Sequence, residues 1–276
     1  MKKERIRYSS SDFLVSDLPN NHKDLFKDVL KNQWHNMMLI AFIVFVAVCP
    51  LIIHRYINMI NISKIIAEGN LELYYSTMIV YSVVRIFLYL FVGLIFAGLA
   101  RIYKKLAYND GFFFGADFIK GVKENWKEFL LIYFMFGILA MLFDVSSIEL
   151  AKNSIVWTYF LSATKYIIIV PVLAILMCLS CIYTDKLRKK IVVAFKLYIR
   201  FFPKLILALL AFAMPLSMLI IANTAIQLFI PMFYALIYLP IAYLGCVIFM
   251  NYIFDIAINE KNFPDLVGKG MWRPNI

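Results

Sequence analysis

The feature that most constrains this chain is a run of 50 residues without a charged side chain, from Leu205 to Phe254. A straight α-helix of that length would measure about 75 Å at roughly 1.5 Å per residue. The apolar core of a bilayer is only about 30 Å thick, so we expect the run to cross a membrane twice. Asn223, Gln227 and Pro231 interrupt its apolar character near the middle. We therefore predict two spans joined by a turn at these residues.

Four further apolar blocks predict four more spans. Apolar residues make up 63% of the 276-residue chain, and its mean hydropathy is +0.80, which is too apolar for one soluble core. The third block is short, but Trp126 and the stems of Lys127 and Glu128 extend it to the interface. The sequence therefore predicts an all-α integral membrane protein, a single membrane domain over residues 1–276 with six transmembrane helices. The four blocks are Met37–Ile53, Thr77–Ala100, Phe129–Phe143 and Ile155–Tyr183.

The distribution of Lys and Arg predicts how these spans are oriented. The segments expected on one side carry 23 of these residues, whereas the opposite loops carry only Arg55, Lys64 and Lys152. Basic residues concentrate on the cytoplasmic side of a membrane, so both termini are predicted to be cytoplasmic. The first 34 residues are charged and lack the apolar region of a cleavable signal peptide. The net charge of +11 is interpreted as a topology signal, and no motif favours a nucleic acid as partner.

An amphipathic segment precedes three of the six spans. Residues 21–34, 115–126 and 187–201 place apolar side chains at helical spacing among lysines and arginines. Such helices lie in the interface plane of a membrane. The sequence therefore predicts three sequential hairpins, each preceded by an interfacial amphipathic helix, and whether this repeat reflects common ancestry stays open. The predicted parts are a cytoplasmic N-terminal segment (1–34), hairpins (35–100, 111–183 and 187–257) and a cytoplasmic tail (258–276).

Two stretches carry a resemblance to a known family. The first, GLARIYKKLAYNDGFFFGADFIKGVKENWKEFLL from Gly98 to Leu131, leads from an inward helix through a polar link to an Asp-containing aromatic segment and a Lys-x-Asn-Trp-Lys entry. The second is the tail INEKNFPDLVGKGM, from Ile258 to Met271. Both resemble YesL-like membrane proteins of bacteria. The resemblance implies six spans in a bacterial plasma membrane and an accessory role in carbohydrate ABC-type uptake, with ABC permease subunits as partners. It supplies no catalytic residue.

Residues that could support catalysis or bind a metal are scattered along the chain. His22, His35 and His54 fall in three different regions and lack partners at ligand spacing. Cys178 and Cys181 share one face of a span and are interpreted as packing residues, with a redox or metal role as the alternative. The chain has no nucleophile elbow, nucleotide-binding loop or zinc-protease motif. We therefore predict no enzymatic activity, no metal and no cofactor.

Arg85 and Lys165 fall inside the second and fourth predicted spans, about 12 to 15 Å deep at the helical rise. A cation near the bilayer centre costs at least about 2.5 kcal/mol and is rarely left facing lipid. The sequence offers no intramembrane carboxylate to neutralise them, since Asp144 and Asp255 are expected at helix ends on opposite sides of the membrane. A ligand would then supply the missing negative charge.

We therefore predict a polar cavity that holds a lipid phosphate, a sugar acid or the carboxylate of a small solute. Hydroxyl groups one turn before each cation, or beside it, would complete the site. The alternative is that each cation snorkels to the headgroups or binds backbone carbonyls. The predicted ligand-binding residues are Arg85, Lys165, Ser82, Ser162, Tyr81 and Tyr166.

Three classes of function remain open from the sequence. The first is the accessory protein of an ABC-type importer, for which the amphipathic segments would form a docking surface. The second is an autonomous transporter or flippase that uses the cavity at Arg85 and Lys165. The third is a protein that binds a lipid or peptide in the same cavity without turnover, such as an immunity or envelope-stress protein.

Overall fold

The computed structural model describes residues 18–151, 155–220 and 223–271, and every regular element in these ranges is helical. The predicted all-α class is therefore confirmed, while residues 1–17 and 272–276 of the predicted terminal segments lie outside the described residues. The α-helices are α1 (His22–Asn32), α2 (Trp34–Ala67), α3 (Leu71–Ala107), α4 (Phe114–Ala151), α5 (Ile155–Thr164), α6 (Val170–Ile182), α7 (Leu187–Arg200), α8 (Phe202–Ala213), α9 (Thr224–Phe233), α10 (Leu239–Phe254) and α11 (Glu260–Asn262). Between or after them lie π-helical segments (Lys165–Ile169, Tyr234–Tyr238 and Asp255–Asn259) and 3₁₀ segments (Met214–Ile220 and Pro264–Leu266).

Among the described residues, six helical stretches are long and apolar enough to cross a bilayer, in agreement with the six predicted spans. The long charge-free run divides at the predicted turn, where the Asn223 side chain caps α9 by accepting hydrogen bonds from the backbone N–H groups of Ala225 and Ile226. Gln227 Nε2 donates to the carbonyl of Leu219 across the turn, at 2.6 Å. The protein is therefore a polytopic membrane protein. The stretches are Trp34–Ala67, Glu72–Ala107, Phe114–Ser147, Tyr159–Ile182, Phe202–Leu219 and Thr224–Asn262.

The two ends of the structure differ in the elements that they carry. The basic end holds α1, α7, the connection between α3 and α4, and the tail, since Lys104 bonds to the carbonyl of Ile182 and Lys269 pairs with Asp110. The far end holds the connection between α2 and α3. Each of the longest helices, α2, α3 and α4, reaches from one end to the other.

Glycines allow α3 and α4 to cross closely, and this pair shares the most extensive contact in the structure. A Cβ atom on Gly98 would lie 2.6 Å from the Phe118 ring, and one on Gly121 would lie 2.7 Å from the carbonyl oxygen of Gly98. Side chains at these two positions would force the backbones apart. The crossing fixes the rotation of α4 against α3, and with it the ion pairs between these two helices, such as that of Arg101 with Asp117.

The three predicted amphipathic segments are all helical, but only two of them are separate helices. Gln33 ends α1 and Phe201 ends α7, each with non-helical backbone angles, and Pro203 follows the second break. Residues 115–126 instead form the first turns of α4 and continue into the apolar stretch without interruption. No proline or glycine separates this segment from Phe129, although the break at Gln33 also occurs without either residue.

Tyrosine hydroxyls bond carbonyl groups that prolines leave free inside the apolar helices. Proline has no N–H, so the carbonyl four residues earlier loses its helical partner. For Pro171 this carbonyl belongs to Ile167, and it accepts from the Tyr198 hydroxyl at 2.8 Å. For Pro215 it belongs to Ala211, and it accepts from the Tyr238 hydroxyl at 2.6 Å. Each bond satisfies a backbone group that would be costly to leave unpaired in lipid.

Three carboxylates at the basic end bind several donors each. Asp117 accepts from Arg101 Nε at 2.9 Å, from Lys105 Nζ at 2.8 Å and from the backbone N–H of Phe113 at 2.9 Å. These bonds join the end of α3 to the first turn of α4. Both charged partners lie in the last two turns of α3, next to the connection that the bonds close, which is consistent with a structural role.

Glu128 and Asp255 join elements that are distant in the chain. Both oxygens of Glu128 accept from Lys190 Nζ, at 2.7 and 2.9 Å, and Oε1 also accepts from the Ser180 hydroxyl at 2.6 Å. Lys190 is only 3% exposed, so this pair fixes α7 against α4 and α6. The buried Asp255 accepts from the side chain of Asn259 at 2.7 Å and from the backbone N–H of Gly268 at 2.8 Å, which holds the tail against α10.

Candidate functional site

Arg85, Asp144 and Lys165 form an ion triad in the far half of the structure. One oxygen of Asp144 accepts from Lys165 Nζ at 2.6 Å, and the other accepts from Arg85 Nη2. The three side chains come from α3, α4 and the π-helical segment that follows α5. Each is mostly buried, with exposed fractions of 26% for Arg85, 20% for Asp144 and 16% for Lys165. A single carboxylate therefore connects two cations that lie 80 positions apart in the sequence.

The expectation that no carboxylate could neutralise the two cations is wrong. It assumed that the third span ends at Phe143, because Asp144 is charged, whereas α4 continues to Ala151. Asp144 therefore lies inside a helix, on the side that faces α3 and the segment after α5. When a predicted span is ended at its first charged residue, a carboxylate that pairs with cations on other helices is left out of the span.

The depth of the triad follows from the lengths of its helices. Arg85 lies 16 residues before Arg101 on α3, and Asp144 lies 18 residues after Trp126 on α4. At the helical rise these separations correspond to about 24 and 27 Å from the basic end. The triad therefore lies in the half of α3 and α4 that is farther from the basic end.

The local sequence brings Lys165 to this position through a π-helical segment. Lys165–Ile169 precedes Pro171, and the backbone N–H of Val170 bonds to the carbonyl of Lys165, one residue further back than in an α-helix. A π-helical insertion changes the direction of the side chains on either side of it, and such insertions are frequent at functional sites. The Tyr166 ring lies 5.3 Å from Lys165 Nζ, a cation–π contact, although Tyr166 itself is largely exposed.

Three buried polar atoms on α2 and α3 have no hydrogen-bond partner among the described residues. They are Nε of Arg85, Nε2 of His54 and Oδ1 of Asn58. His54 and Asn58 lie one turn apart on α2, and His54 is within electrostatic reach of the Arg85 guanidinium. Buried polar atoms are usually paired, so unpaired ones indicate a place where water or a ligand binds. We call Arg85, Asp144, Lys165, Ser82, His54 and Asn58 the far-end cluster.

The predicted site residues have different positions relative to the far-end cluster. Arg85 and Lys165 meet at Asp144, and the buried Ser82 Oγ lies 3.5 Å from Arg85 Nη2. The Tyr81 hydroxyl accepts instead from Asn61 Nδ2 at 2.5 Å, while its ring packs on His54 with ring centroids 5.0 Å apart. The side chain of Ser162 lies outside the described residues.

Sequence reasoning missed Asp144, His54 and Asn58. A signal for two of them exists, because His54, Asn58 and Asn61 recur at helical spacing and form a polar stripe beyond the first apolar block. Asp144 has apolar or small neighbours on both sides, which is the pattern of a residue inside a span. Neither pattern shows which cation the carboxylate pairs with.

The chemistry available at the far-end cluster is electrostatic. Two cations share one carboxylate, so the cluster carries one surplus positive charge when His54 is neutral. No group of three His, Cys, Asp or Glu side chains suited to a metal occurs in the described part of the chain. Cys178 and Cys181 are buried in the core, and the described cysteines form no disulfide with one another.

Comparison of the chain with protein-family models, curated proteins and solved structures found no match. Membership of the YesL-like family therefore stays a prediction, and the conclusions about function depend on the geometry of this chain alone.

Proposed function

We propose that this membrane protein binds a small anion at the far-end cluster, as an autonomous transporter or as an anion-binding protein. The observation that carries the proposal is the shared carboxylate: Asp144 neutralises only one of the two charges on Arg85 and Lys165. A buried surplus charge is costly, and a bound anion would offset it.

The free donors of the cluster suit an anion better than a cation. Nε of Arg85 is always a donor, and Nε2 of His54 becomes one when it carries a proton. Hydrogen bonds from charged donors to carboxylate or phosphate are among the strongest in proteins. Carboxylates and phosphates, whether of a solute or of a lipid headgroup, are therefore the proposed class of ligand.

The test is a titration of the purified full chain, in nanodiscs of zwitterionic lipid, with phosphate, acetate and glucuronate as probes. The variant Arg85→Gln removes the surplus charge and one free donor together. We expect it to weaken binding by roughly 10- to 100-fold, the loss typical of one charged hydrogen bond of about 1.5 to 3 kcal/mol. Lys64→Gln is the matched control, because Lys64 is an exposed cation on α2 near the far end.

Equal binding by Arg85→Gln and the unmodified chain would contradict an anion site at the cluster. Binding that is lost to the same extent in Lys64→Gln would show only a diffuse charge effect. If the probes bind as expected, uptake of the same probes into proteoliposomes separates a transporter from a protein that only binds.

A second candidate is the accessory role in carbohydrate ABC-type uptake that the family resemblance implies. The exposed face of α1, with Lys23, Lys27 and Lys31, is a surface at the basic end that a permease subunit could contact. The test is co-purification with a co-expressed permease from the same genome, compared with the variant in which these three lysines are replaced by glutamate. An unchanged yield of permease with the variant would count against this surface.

A further inference from the structure

Helix α7 exposes an apolar stripe on the side that faces away from the protein. Val192, Phe195 and Ile199 are 50%, 43% and 74% exposed, and Phe202 continues the line at the start of α8. Their spacing of three or four residues places them on one face of the helix. Large apolar side chains in such a row are unfavourable in water, so the stripe needs a covering environment.

A row of cations lies beside this stripe. Lys189, Lys196 and Arg200 are exposed, and they follow the stripe at about 70 to 100° around the helix axis. Lys189 pairs with Asp185 at 3.1 Å, whereas Lys196 and Arg200 form no ion pair with any described residue. With the stripe buried in acyl chains, this angle would place both free cations at the level of the headgroup phosphates.

The opposite face of α7 is anchored to the helix bundle, so the direction of the stripe is fixed. The buried Lys190 binds both oxygens of Glu128, and the hydroxyl of Tyr198 bonds to the carbonyl of Ile167. Ala194 and Leu197 are buried on the same face. The helix cannot turn its apolar stripe inward without breaking these contacts.

Helix α1 lacks this arrangement, although the sequence predicts the same role for both helices. Its apolar residues Leu25 and Val29 are buried, and Phe26 and Leu30 pack against the core. Its exposed positions are polar, including Lys23 and Lys31. The two helices therefore differ in exposed apolar area while both carry exposed cations.

We propose that α7 is a binding surface for anionic phospholipid at the basic end. Val192, Phe195 and Ile199 insert among the acyl chains, and Lys196 and Arg200 bind the phosphates of the headgroups. This surface uses other residues than the far-end cluster, although Tyr198 on the buried face of α7 bonds to the carbonyl of Ile167, two residues from Lys165. The charge of the surface selects anionic over zwitterionic lipid, and the apolar stripe selects a bilayer over a soluble acidic partner.

The test uses the full chain in nanodiscs that contain phosphatidylcholine and phosphatidylglycerol, with retained lipids counted by native mass spectrometry. The variant Lys196→Gln with Arg200→Gln removes two exposed cations beside the stripe, keeps the exposed Arg188, and leaves the buried face untouched. We expect its preference for phosphatidylglycerol to fall by roughly 20- to 30-fold, at about 1 kcal/mol for each cation near an anionic surface. The control is Lys23→Gln with Lys31→Gln on α1, which removes the same charge from a helix without an apolar stripe, and we expect a fall of less than about threefold.

A third variant, Ile199→Asn, tests the apolar stripe while every cation is kept. Retention of both lipids should fall, and the preference between them should stay close to that of the unmodified chain. The proposal is overturned if the α7 and α1 charge variants lose the same preference, or if neither loses any. It is also overturned if the α7 variant keeps its lipid preference but loses a protein partner, since the stripe would then be a protein interface.

Discussion

Asp117, Glu128 and Asp255 at the basic end and Asp144 in the far half of the structure each accept several hydrogen bonds, but in dissimilar surroundings. At the basic end, Asp117, Glu128 and Asp255 each bind several donors that come from the elements they join. At the far end, Asp144 binds two cations and leaves an unpaired guanidinium nitrogen close by. The difference indicates that a satisfied pair joins helices, whereas an incompletely satisfied one is able to accept a ligand.

The two ends of the protein are predicted to lie on opposite sides of the membrane. We predict cytoplasmic exposure of Lys189 and exposure of Asn61 on the outer side, from the distribution of basic residues. Single cysteines at these positions should give an all-or-none difference in labelling of intact cells by an impermeant thiol reagent. The unmodified chain, with its own four cysteines, is the control for background. Labelling of position 189 but not 61 would reverse the topology.

The largest effect on stability is expected at the buried pair of Glu128 with Lys190, whose carboxylate binds several donors at the basic end. Lys190→Ala would leave the Glu128 carboxylate without its cation in a mostly buried position, a change that typically costs about 3 to 5 kcal/mol. The measurement is unfolding of the purified chain in mixed micelles with increasing dodecyl sulfate. Lys189→Ala is the control, since its exposed pair with Asp185 should contribute less than about 1 kcal/mol. Similar losses in both variants would remove the distinction between buried and exposed pairs.

A smaller effect is expected from the helix crossing that positions both sets of charges. A methyl group at Gly121 would meet the carbonyl oxygen of Gly98 at 2.7 Å and the Cβ of Arg101 at 2.9 Å. We expect Gly121→Ala to destabilise the protein by about 1 to 3 kcal/mol, as overpacking does. Gly115→Ala should be neutral or stabilising by less than about 1 kcal/mol, because that position is open and helical. The same unfolding experiment compares the two, and an equal response would mean that the crossing tolerates separation.

The smallest effect concerns Asp144, and here the substitution is expected to strengthen anion binding. Asp144→Asn would raise the surplus charge of the far-end cluster from one to two, and the repulsion between Asp144 and a bound anion would be lost. We expect phosphate to bind about tenfold more tightly, which corresponds to roughly 1 to 2 kcal/mol for charges a few ångströms apart.

The readout is the phosphate titration of the chain in nanodiscs, with unfolding measured in parallel so that a loss of structure is recognised. Asp110→Asn, an exposed carboxylate at the basic end, is the control. Weaker phosphate binding by a folded Asp144→Asn variant would mean that the carboxylate positions the cations for the ligand, and not that it competes with it.

Hydropathy and chain-breaking residues are local properties, and they determined the six spans from the sequence alone. Nearby side chains account for two interruptions of the helices: the cap at Asn223 makes the turn, and Pro203 follows the break at the start of α8. Residues 115–126 carry a similar amphipathic pattern but continue into the rest of α4 without a break. Arg85, Lys165 and Ser82 were recognised as an unusual set because a buried cation is costly wherever it occurs.

Only the tertiary structure decided which charges meet and which faces stay exposed. Asp144 reaches Arg85 across 59 positions of sequence, and Lys190 reaches Glu128 across 62. Such pairs depend on the stagger and rotation of the helices. Close contacts between helices, such as that of Gly98 with Gly121, determine both. The same dependence separates α1 from α7: their sequences are similarly amphipathic, but packing buries the apolar side of one and leaves a stripe of the other outside. A pattern along the chain states that a face is apolar, and only the packed neighbours determine whether protein or lipid covers it.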